Sequence, residues 1–298
     1  MFGKGDNMSD IFGSLASIED LEFNYIKDLV YEKAGIFLPP HKKIMVQSRL
    51  NSRLRANSMN NFKDYVSKLK NDKAFYEVEV LEIINKITTN KTDFFRENHH
   101  FEYLTNTFFP EKEKILQKFS VKKVRIWSSA CSTGEEPYSI AITVEEYLKT
   151  KKSFEVKIFA SDIDTNVIET AKKGIYKQDR LETVSDEFKK KYFKKVSEKN
   201  GVIEYEVSQN LKNLIEFKKV NLLEAPFPFK EKFDIIFCRN VIIYFDKPTQ
   251  KRLFSNFHSM LEDDGILIIG HSETLFGISD DFGFLGKTIY KKKNRSPL

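Results

Sequence analysis

Residues 125–148 read RIWSSACSTGEEPYSIAITVEEYL, and this stretch decides the fold. It emerges from apolar, β-prone residues (Val124, Ile126, Trp127) and breaks into small ones from Ser128 to Ser132. After Gly134 it turns amphipathic with helical spacing. Pro137 falls inside the expected first helical turn, where its missing N–H costs nothing. A buried strand, a tight turn of small residues and a helix form the unit with which α/β proteins bring backbone close to a ligand at the carboxyl ends of their strands. Two acids, Glu135 and Glu136, open the helix. A phosphate site would place Lys or bare N–H groups there. A carboxylate suits a ligand carrying a positive charge or hydroxyl and amino donors, as S-adenosylmethionine does. The same acids would also complement the helix dipole, and the local pattern leaves both readings open.

Downstream, strand and helix alternate, the pattern of a parallel sheet covered on both faces. Phe154–Ala160 reads as the second strand and ends in Ser161-Asp162-Ile163-Asp164. Asp162, 28 residues past Gly134, stands where nucleotide-binding α/β folds hold ribose hydroxyls. Asp164 reads as the N-cap of the helix through Ala171. The lone Gly134 lacks the fuller glycine fingerprint of a dehydrogenase, which favours S-adenosylmethionine over NAD. Between Ile175 and Phe217 the alternation breaks into a Lys-rich helical piece (Asp186–Lys195), an alternating strand Val202–Val207 and an apolar strand Leu214–Lys218. These are expected to form an inserted β subdomain of about three strands. The core resumes with Phe233–Cys238, apolar throughout as a central parallel strand should be. Arg239, Asn240 and, four residues further, Tyr244 follow it at the ligand crevice. A helix Pro248–Leu261, closing at Asp263-Asp264-Gly265, then leads to the strand Ile266–Ile269 and Gly270-His271-Ser272-Glu273. His271 reads as either a base or substrate contact, or a structural residue at a strand end.

Upstream, ITTNKTDFFRENHHFEYL (87–104) is rich in short hydrogen-bonding groups and makes a poor helix interior, so it reads as a binding loop or as an Asn/Thr-rich cap. Residues 17–87 read as four helices in a small domain. Ser17 with Asp20 resembles a capping box, Gly35 a helix terminator, and Asn61 with Asp64 a further cap. Lys42, Arg49 and Arg53 form a stripe beside the apolar Val46, Leu50 and Leu54. Between His41 and Lys73 nine Lys and Arg, Arg55 among them, stand against two Asp, a local excess of seven in a chain whose net charge is +6. A basic face implies an acidic partner or is simply solvated.

The 298 residues hold 41% hydrophobic and 31% charged side chains, the balance of a soluble globular protein of one large or two ordinary domains. Two cysteines, Cys131 and Cys238, are too few for a disulfide framework and lack zinc spacing. No metal is expected, and a reducing cytoplasm is. No apolar run spans a bilayer, and the opening ten or so residues read as a disordered start rather than a signal peptide.

TTNKTDFFRE, WSSACSTGEEPYSIA, ASDID, VNLL, FCRNVIIYFDK and GHSE after DDG, together and in order, resemble the CheR family of chemotaxis-receptor methyltransferases. The resemblance begins at about residue 17, after an expected disordered stretch 1–16, and implies a helical receptor-contacting domain 17–87 and a cofactor-contacting loop 88–98. A doubly wound, Rossmann-like methyltransferase domain 99–298 follows, with its antiparallel β subdomain at about 176–218. It implies transfer of a methyl group from S-adenosylmethionine to glutamate carboxylates of chemoreceptor helical bundles, leaving S-adenosylhomocysteine, by a cytoplasmic monomer that neither binds nucleic acid nor inserts into membranes. Cofactor contacts carried over are Asn90, Thr92, Arg96, Ala130, Glu135, Asp162, Asn221, Leu222, Arg239 and Asn240. Tyr244 lies near the transferred methyl and joins Arg96 as catalytic. Receptor contacts are Lys42, Arg49, Arg53 and Arg55. Members that dock a receptor's C-terminal pentapeptide carry a Gly-x-Gly turn in the β subdomain; residues 196–201, VSEKNG, lack it, so a pentapeptide-independent enzyme is expected. A nucleic-acid methyltransferase and a non-catalytic S-adenosylmethionine-binding module are the alternatives.

Overall fold

A computed structural model describes residues 15–118, 123–151 and 154–294, so nearly all of the expected disordered start lies outside the described residues. The chain divides into a helical unit and an α/β unit, residues 34–36 and those from 89 onward belonging to the second.

In the helical unit, α1 (Asp20–Ala34), α2 (Lys43–Ala56), α3 (Phe62–Asn71) and α4 (Lys73–Ile87) bury Ile26, Val30, Val46, Leu50, Tyr65 and Ile83 completely. Asn61 caps α3 by accepting from Asp64 N at 2.8 Å, and Asp72 caps α4 by accepting from Phe75 N at 3.0 Å. The expected Ser17–Asp20 capping box does not form. Helix α1 begins at Asp20 itself, and the preceding backbone is held instead by side chains of α2, Ile18 N donating to Gln47 and Ala16 N to Asn51.

In the α/β unit seven of the described strands make one sheet of order β6-β2-β1-β7-β8-β10-β9. These are β1 (Lys123–Ser128), β2 (Glu155–Asp162), β6 (Ile215–Lys219), β7 (Phe233–Cys238), β8 (Leu261–Ile269), β9 (Phe282–Gly286) and β10 (Ile289–Lys292). The first five in that order run parallel, Ile126 pairing with both Ile158 and Ile235, while β10 returns antiparallel beside β8. Side chains alternate between two cores: Val124, Ile126 and Phe237 face one, Trp127, Ile236 and Cys238 the other. Helix α7 (Glu135–Thr150) packs Tyr138, Ile142 and Val144 into the first core. Helix α11 (Lys247–Met260) packs Leu253, Phe254 and Phe257 into the second. From β1 the chain first winds outward through β2 and β6, then crosses back to β7 and β8. The crevice at this switch point opens at the carboxyl ends of β1 and β7.

Three expectations change. Ile215–Lys219 is not part of the inserted subdomain but the edge strand of the main sheet, paired with β2 from Ile158–Ile215 to Asp162–Lys219. The insert is instead β3 (Ile175–Lys177), β4 (Phe193–Lys199) and β5 (Val202–Val207), in the order β3-β5-β4. Its Lys-rich helix, α9 (Asp186–Tyr192), ends before Phe193, where β4 starts. Asp263-Asp264-Gly265 does not close a helix; it lies inside β8 at a register shift, between Leu261 opposite Phe233 and Ile266 opposite Ile235.

Candidate functional site

Beyond β1, Ser129 N donates to Phe237 O and Cys131 N to Ser161 O, so the small-residue turn bridges the ends of β7 and β2. Gly134 then takes φ +101° at the N-cap of α7. A Cβ there would stand 2.8 Å from the Tyr176 hydroxyl and 2.9 Å from Ala171 Cβ, so only glycine fits. Ala130 is partly exposed in the same turn.

Glu135 is fully buried at the start of α7. Thr133 Oγ1 donates to its Oε2 at 2.6 Å, and Arg180 pairs with its Oε1 through Nε at 3.2 Å and more closely through Nη2. The second acid, Glu136, faces the other way, accepting from Ser128 Oγ at 2.7 Å and from Arg239 Nη1 at 2.9 Å. One of the two adjacent acids therefore serves the crevice floor and the other anchors Arg239, a division that adjacency in sequence does not reveal.

Asp162 ends β2, accepting from Ser132 N at 2.9 Å and Asp164 N at 3.0 Å. Burial pushes its carboxyl up to about 6, against the pull of those N–H groups. Asp164 caps α8 (Thr165–Lys173) and also accepts from Asn90 Nδ2 at 2.7 Å. Val220 N donates to Asp162 O, which sets Asn221 and the buried Leu222 beside that strand end. Asn221 closes its own turn by accepting from Leu223 N.

The loop 90–98 threads along this edge and is fixed residue by residue. Ser132 Oγ donates to Asn90 O, Arg180 Nη2 to Thr92 O, Thr183 Oγ1 to Phe94 O, and Arg239 Nη2 to Arg96 O. Phe95 N donates to Ser139 Oγ. Phe95 and Glu97 hold φ of 53° and 58°, backbone strain maintained by these anchors. The segment is thus a pinned loop rather than a mere helix cap.

Glu97, Arg180, Glu273 and His100 escaped the sequence reading. Glu97 accepts from His271 N at 3.1 Å, meets His271 Nδ1 at 2.8 Å and pairs with Arg239 at 3.3 Å. Although burial alone would raise its carboxyl, the Arg239 charge and the His271 hydrogen bonds hold it down at about 2. This His–acid pair forms between two motifs 174 residues apart, which spacing cannot reveal. His100 is buried, its Nε2 on Lys287 O, and burial with the nearby Arg239 charge lowers it to about 3. Glu273 accepts from the N–H groups of Gly270, Asn240 and Ile242 and so fixes the turn that carries Tyr244. Only the GHSE motif hinted at it.

Tyr244 is half-buried at the end of the turn Ile242–Tyr244, and its hydroxyl has no hydrogen-bond partner among the described residues. The Arg96 side chain pairs with neither Glu97 nor Glu135 and donates instead to Lys91 O at 3.1 Å. Glu97, His99 and His100 each bring one ligand atom within 4.8 Å of the others, a candidate metal group the sequence did not suggest. Arg239 already neutralises its carboxylate.

In the helical unit the expected basic stripe is largely spent internally. Arg53 donates to Glu79 through Nε at 2.8 Å and Nη2 at 2.7 Å, and to Glu82 at 3.1 Å. Arg49 caps the end of α4, donating to Ile87 O at 2.6 Å and Thr88 O at 2.8 Å. Neither is the free surface cation that the helical spacing suggested, whereas Lys42 and Arg55 are exposed.

The donor set fits S-adenosylmethionine. A buried acid suits an ammonium, a strand-end acid suits hydroxyls, a turn that admits only glycine keeps the backbone bare, and Arg239 Nε is a buried N–H left without a partner. Comparison with known proteins agrees. Residues 90–291 match the model of the CheR methyltransferase SAM-binding domain, and residues 21–88 that of the CheR methyltransferase all-alpha domain. The chain is 40% identical over 282 residues to the chemotaxis protein methyltransferase of Borreliella burgdorferi, covering 92% of this chain and 97% of that one. It is 42% identical over 275 residues to the chemotaxis protein methyltransferase of Salmonella typhimurium, covering 92% and 91%. The Escherichia coli protein of the same name is 38% identical over 275 residues, with the same coverage. A helical unit followed by a sheet of this order, with these acids at its carboxyl edge and these matches along its length, belongs to the CheR methyltransferase family and uses S-adenosylmethionine as its cofactor.

Proposed function

We propose that this methyltransferase esterifies glutamate side chains on the cytoplasmic helices of chemoreceptors; the names of its relatives, chemotaxis protein methyltransferases, support methyl transfer in chemotaxis. The observation that carries the reading is Arg96, a cation on the crevice loop with no acid partner among the described residues. Such a group attracts a carboxylate. An ionised glutamate is already nucleophilic at pH 7 and needs no base, in keeping with a crevice whose buried histidine is held neutral. S-adenosylmethionine, held by residues such as Glu135 and Asp162, would supply an electrophilic methyl and a sulfonium leaving group that keeps the C–S electron pair, so a carboxylate oxygen would accept the methyl without any proton transfer. Arg96 holds the incoming carboxylate and the Tyr244 hydroxyl orients its attacking oxygen, with positioning and desolvation supplying at most about 7–11 kcal/mol.

Glu135, Asp162, Asn90, Thr92, Ala130, Asn221, Leu222, Arg239 and Asn240 serve the cofactor in this reading. Receptor contact falls to the exposed Lys42 and Arg55 rather than to Arg49 and Arg53. The same internal pairing neutralises Arg53 and turns the Arg49 donors to backbone carbonyls, leaving less cationic surface with which a nucleic-acid methyltransferase would grip phosphate. The two-residue turn Asn200-Gly201, with φ of 51° and 76°, joins β4 to β5 without a Gly-x-Gly, which supports an enzyme that needs no receptor pentapeptide.

The test is transfer of tritiated methyl to receptor cytoplasmic fragments followed by mild alkali. Label released as volatile methanol is the expected result. Label stable to alkali, or none on the receptor, refutes it. Arg96→Ala should lower kcat/KM by about tenfold to hundredfold, the worth of one charge-assisted hydrogen bond; retention of more than half refutes its role.

A further inference from the structure

Arg180 lies outside every motif that the family resemblance rests on, yet it reaches the centre of the crevice. Its Nε and Nη2 hold Glu135 Oε1, and the same Nη2 donates to Thr92 O at 2.9 Å. Its remaining nitrogen, Nη1, has no hydrogen-bond partner among the described residues, and the side chain is 37% exposed where Glu135 is sealed. Arg180 is carried by the short turn Gln178–Leu181 that follows β3, so its placement depends on the inserted subdomain. Tyr176, on β3, ties that strand to the small-residue turn before α7 by donating to Thr133 O at 2.7 Å. Asp93 and Asp179 are the other acids near the guanidinium.

We propose that Arg180 binds the α-carboxylate of the cofactor's amino-acid end, paired with Glu135 as the receiver of its ammonium. The geometry carries this directly. Glu135 and Arg180 form a side-by-side anion and cation, and a zwitterionic amino acid presents the complementary cation and anion. Glu135 Oε1 accepts both N–H groups of Arg180, while Oε2 accepts only from Thr133 Oγ1 and keeps a lone pair for an ammonium. Arg180 keeps Nη1 for a carboxylate oxygen, in the planar arrangement that guanidinium and carboxylate share. With the cofactor's carboxylate taken here, Arg96 remains free for the methyl-accepting glutamate. The inserted subdomain thereby contributes to the cofactor site through β3 and its following turn, distinct from any part that β4 and β5 play toward a receptor.

This inference rests on the cofactor assignment, and a binding measurement separates the two. Calorimetry on the full chain compares S-adenosylhomocysteine with its decarboxylated analogue, which keeps the ammonium and lacks the carboxylate. The wild-type chain should prefer the former by about tenfold or more. In Arg180→Ala that preference should fall below about threefold, and Arg180→Lys, which keeps the charge without the planar fork, should restore part of it. A preference unchanged in Arg180→Ala overturns the inference, because Arg180 then only braces Glu135 and Thr92. Tighter binding of S-adenosylhomocysteine by Arg180→Ala also overturns it, since the guanidinium would then compete with the ammonium. Failure of the wild type to bind either ligand defeats the cofactor assignment itself. Circular dichroism of each variant verifies folding, and Arg180→Gln, which retains a donor without charge, serves if the alanine variant is unstable.

Discussion

Replacing Arg53 by alanine separates a structural cation from a receptor-binding one. Glu79, 1% exposed, accepts from Arg53 twice, from Tyr65 Oη at 2.7 Å and from Asn57 Nδ2 at 3.1 Å. Burial penalises its charge most strongly, and Arg53 with Tyr65 reverses that penalty and holds the carboxyl below its usual range. Arg53→Ala leaves the carboxylate buried without its counter-ion, a loss of about 3–5 kcal/mol. Hydrogen exchange read by mass spectrometry should show protection of the α2, α3 and α4 amides falling by about two to four orders of magnitude. The loss should shrink as pH falls through the carboxyl's value, which burial raises above the ordinary range once Arg53 is gone, because the protonated acid needs no cation. Replacing Arg53 and Glu79 together by leucine should recover much of the loss, since no unpaired charge remains. Lys42→Ala and Arg55→Ala, at exposed positions, should leave exchange unchanged and weaken receptor methylation instead. Unchanged exchange in Arg53→Ala alongside lost receptor methylation would refute the reasoning and restore the whole basic stripe as a docking surface.

Asp162 titrates at about 6 because burial outweighs its N–H partners, and cofactor hydroxyls favour its ionised form. The Kd for S-adenosylhomocysteine should therefore rise as pH falls through 6, by about tenfold per unit below it, and Asp162→Asn should flatten that slope; a profile of wild-type slope in the variant contradicts the assignment. In the ligand-free chain the same raised pKa means the folded state holds this proton more tightly than the unfolded one, so Asp162 contributes stability at pH 4 that is lost as pH rises through 6. Gly134→Ala forces a side chain into φ +101° and against Tyr176 and Ala171, at a cost of about 1–3 kcal/mol from backbone strain alone. Thermal unfolding and calorimetry should show both a lower Tm and lost cofactor affinity, and unchanged values would mean that the turn relaxes freely.

Local chemistry was legible wherever a short stretch determines its own structure. Asn61 and Asp164 cap their helices through N–H groups two or three residues away, and Gly35 ends α1 at φ +67°. The strand–turn–helix from Arg125 to Leu148 and the apolar Phe233–Cys238 marked the central strands, because burial on both faces leaves an uninterrupted apolar run. Leu214–Lys218 misled because an edge strand of a parallel sheet and a strand of a small antiparallel insert share the same short apolar signature. Only pairing with β2 distinguishes them.

By itself, then, the sequence determined the α/β class, the two-part organisation and the acids at the strand ends, all of which follow from periodicity and position along the chain. What tertiary structure alone decided is which charge meets which. Glu135 turned to Arg180, its neighbour Glu136 to Arg239, Glu97 to a histidine 174 residues away, and Arg53 inward to Glu79. A buried charge must find its partner wherever the fold places one, and nothing in the spacing of residues along a chain encodes that distance.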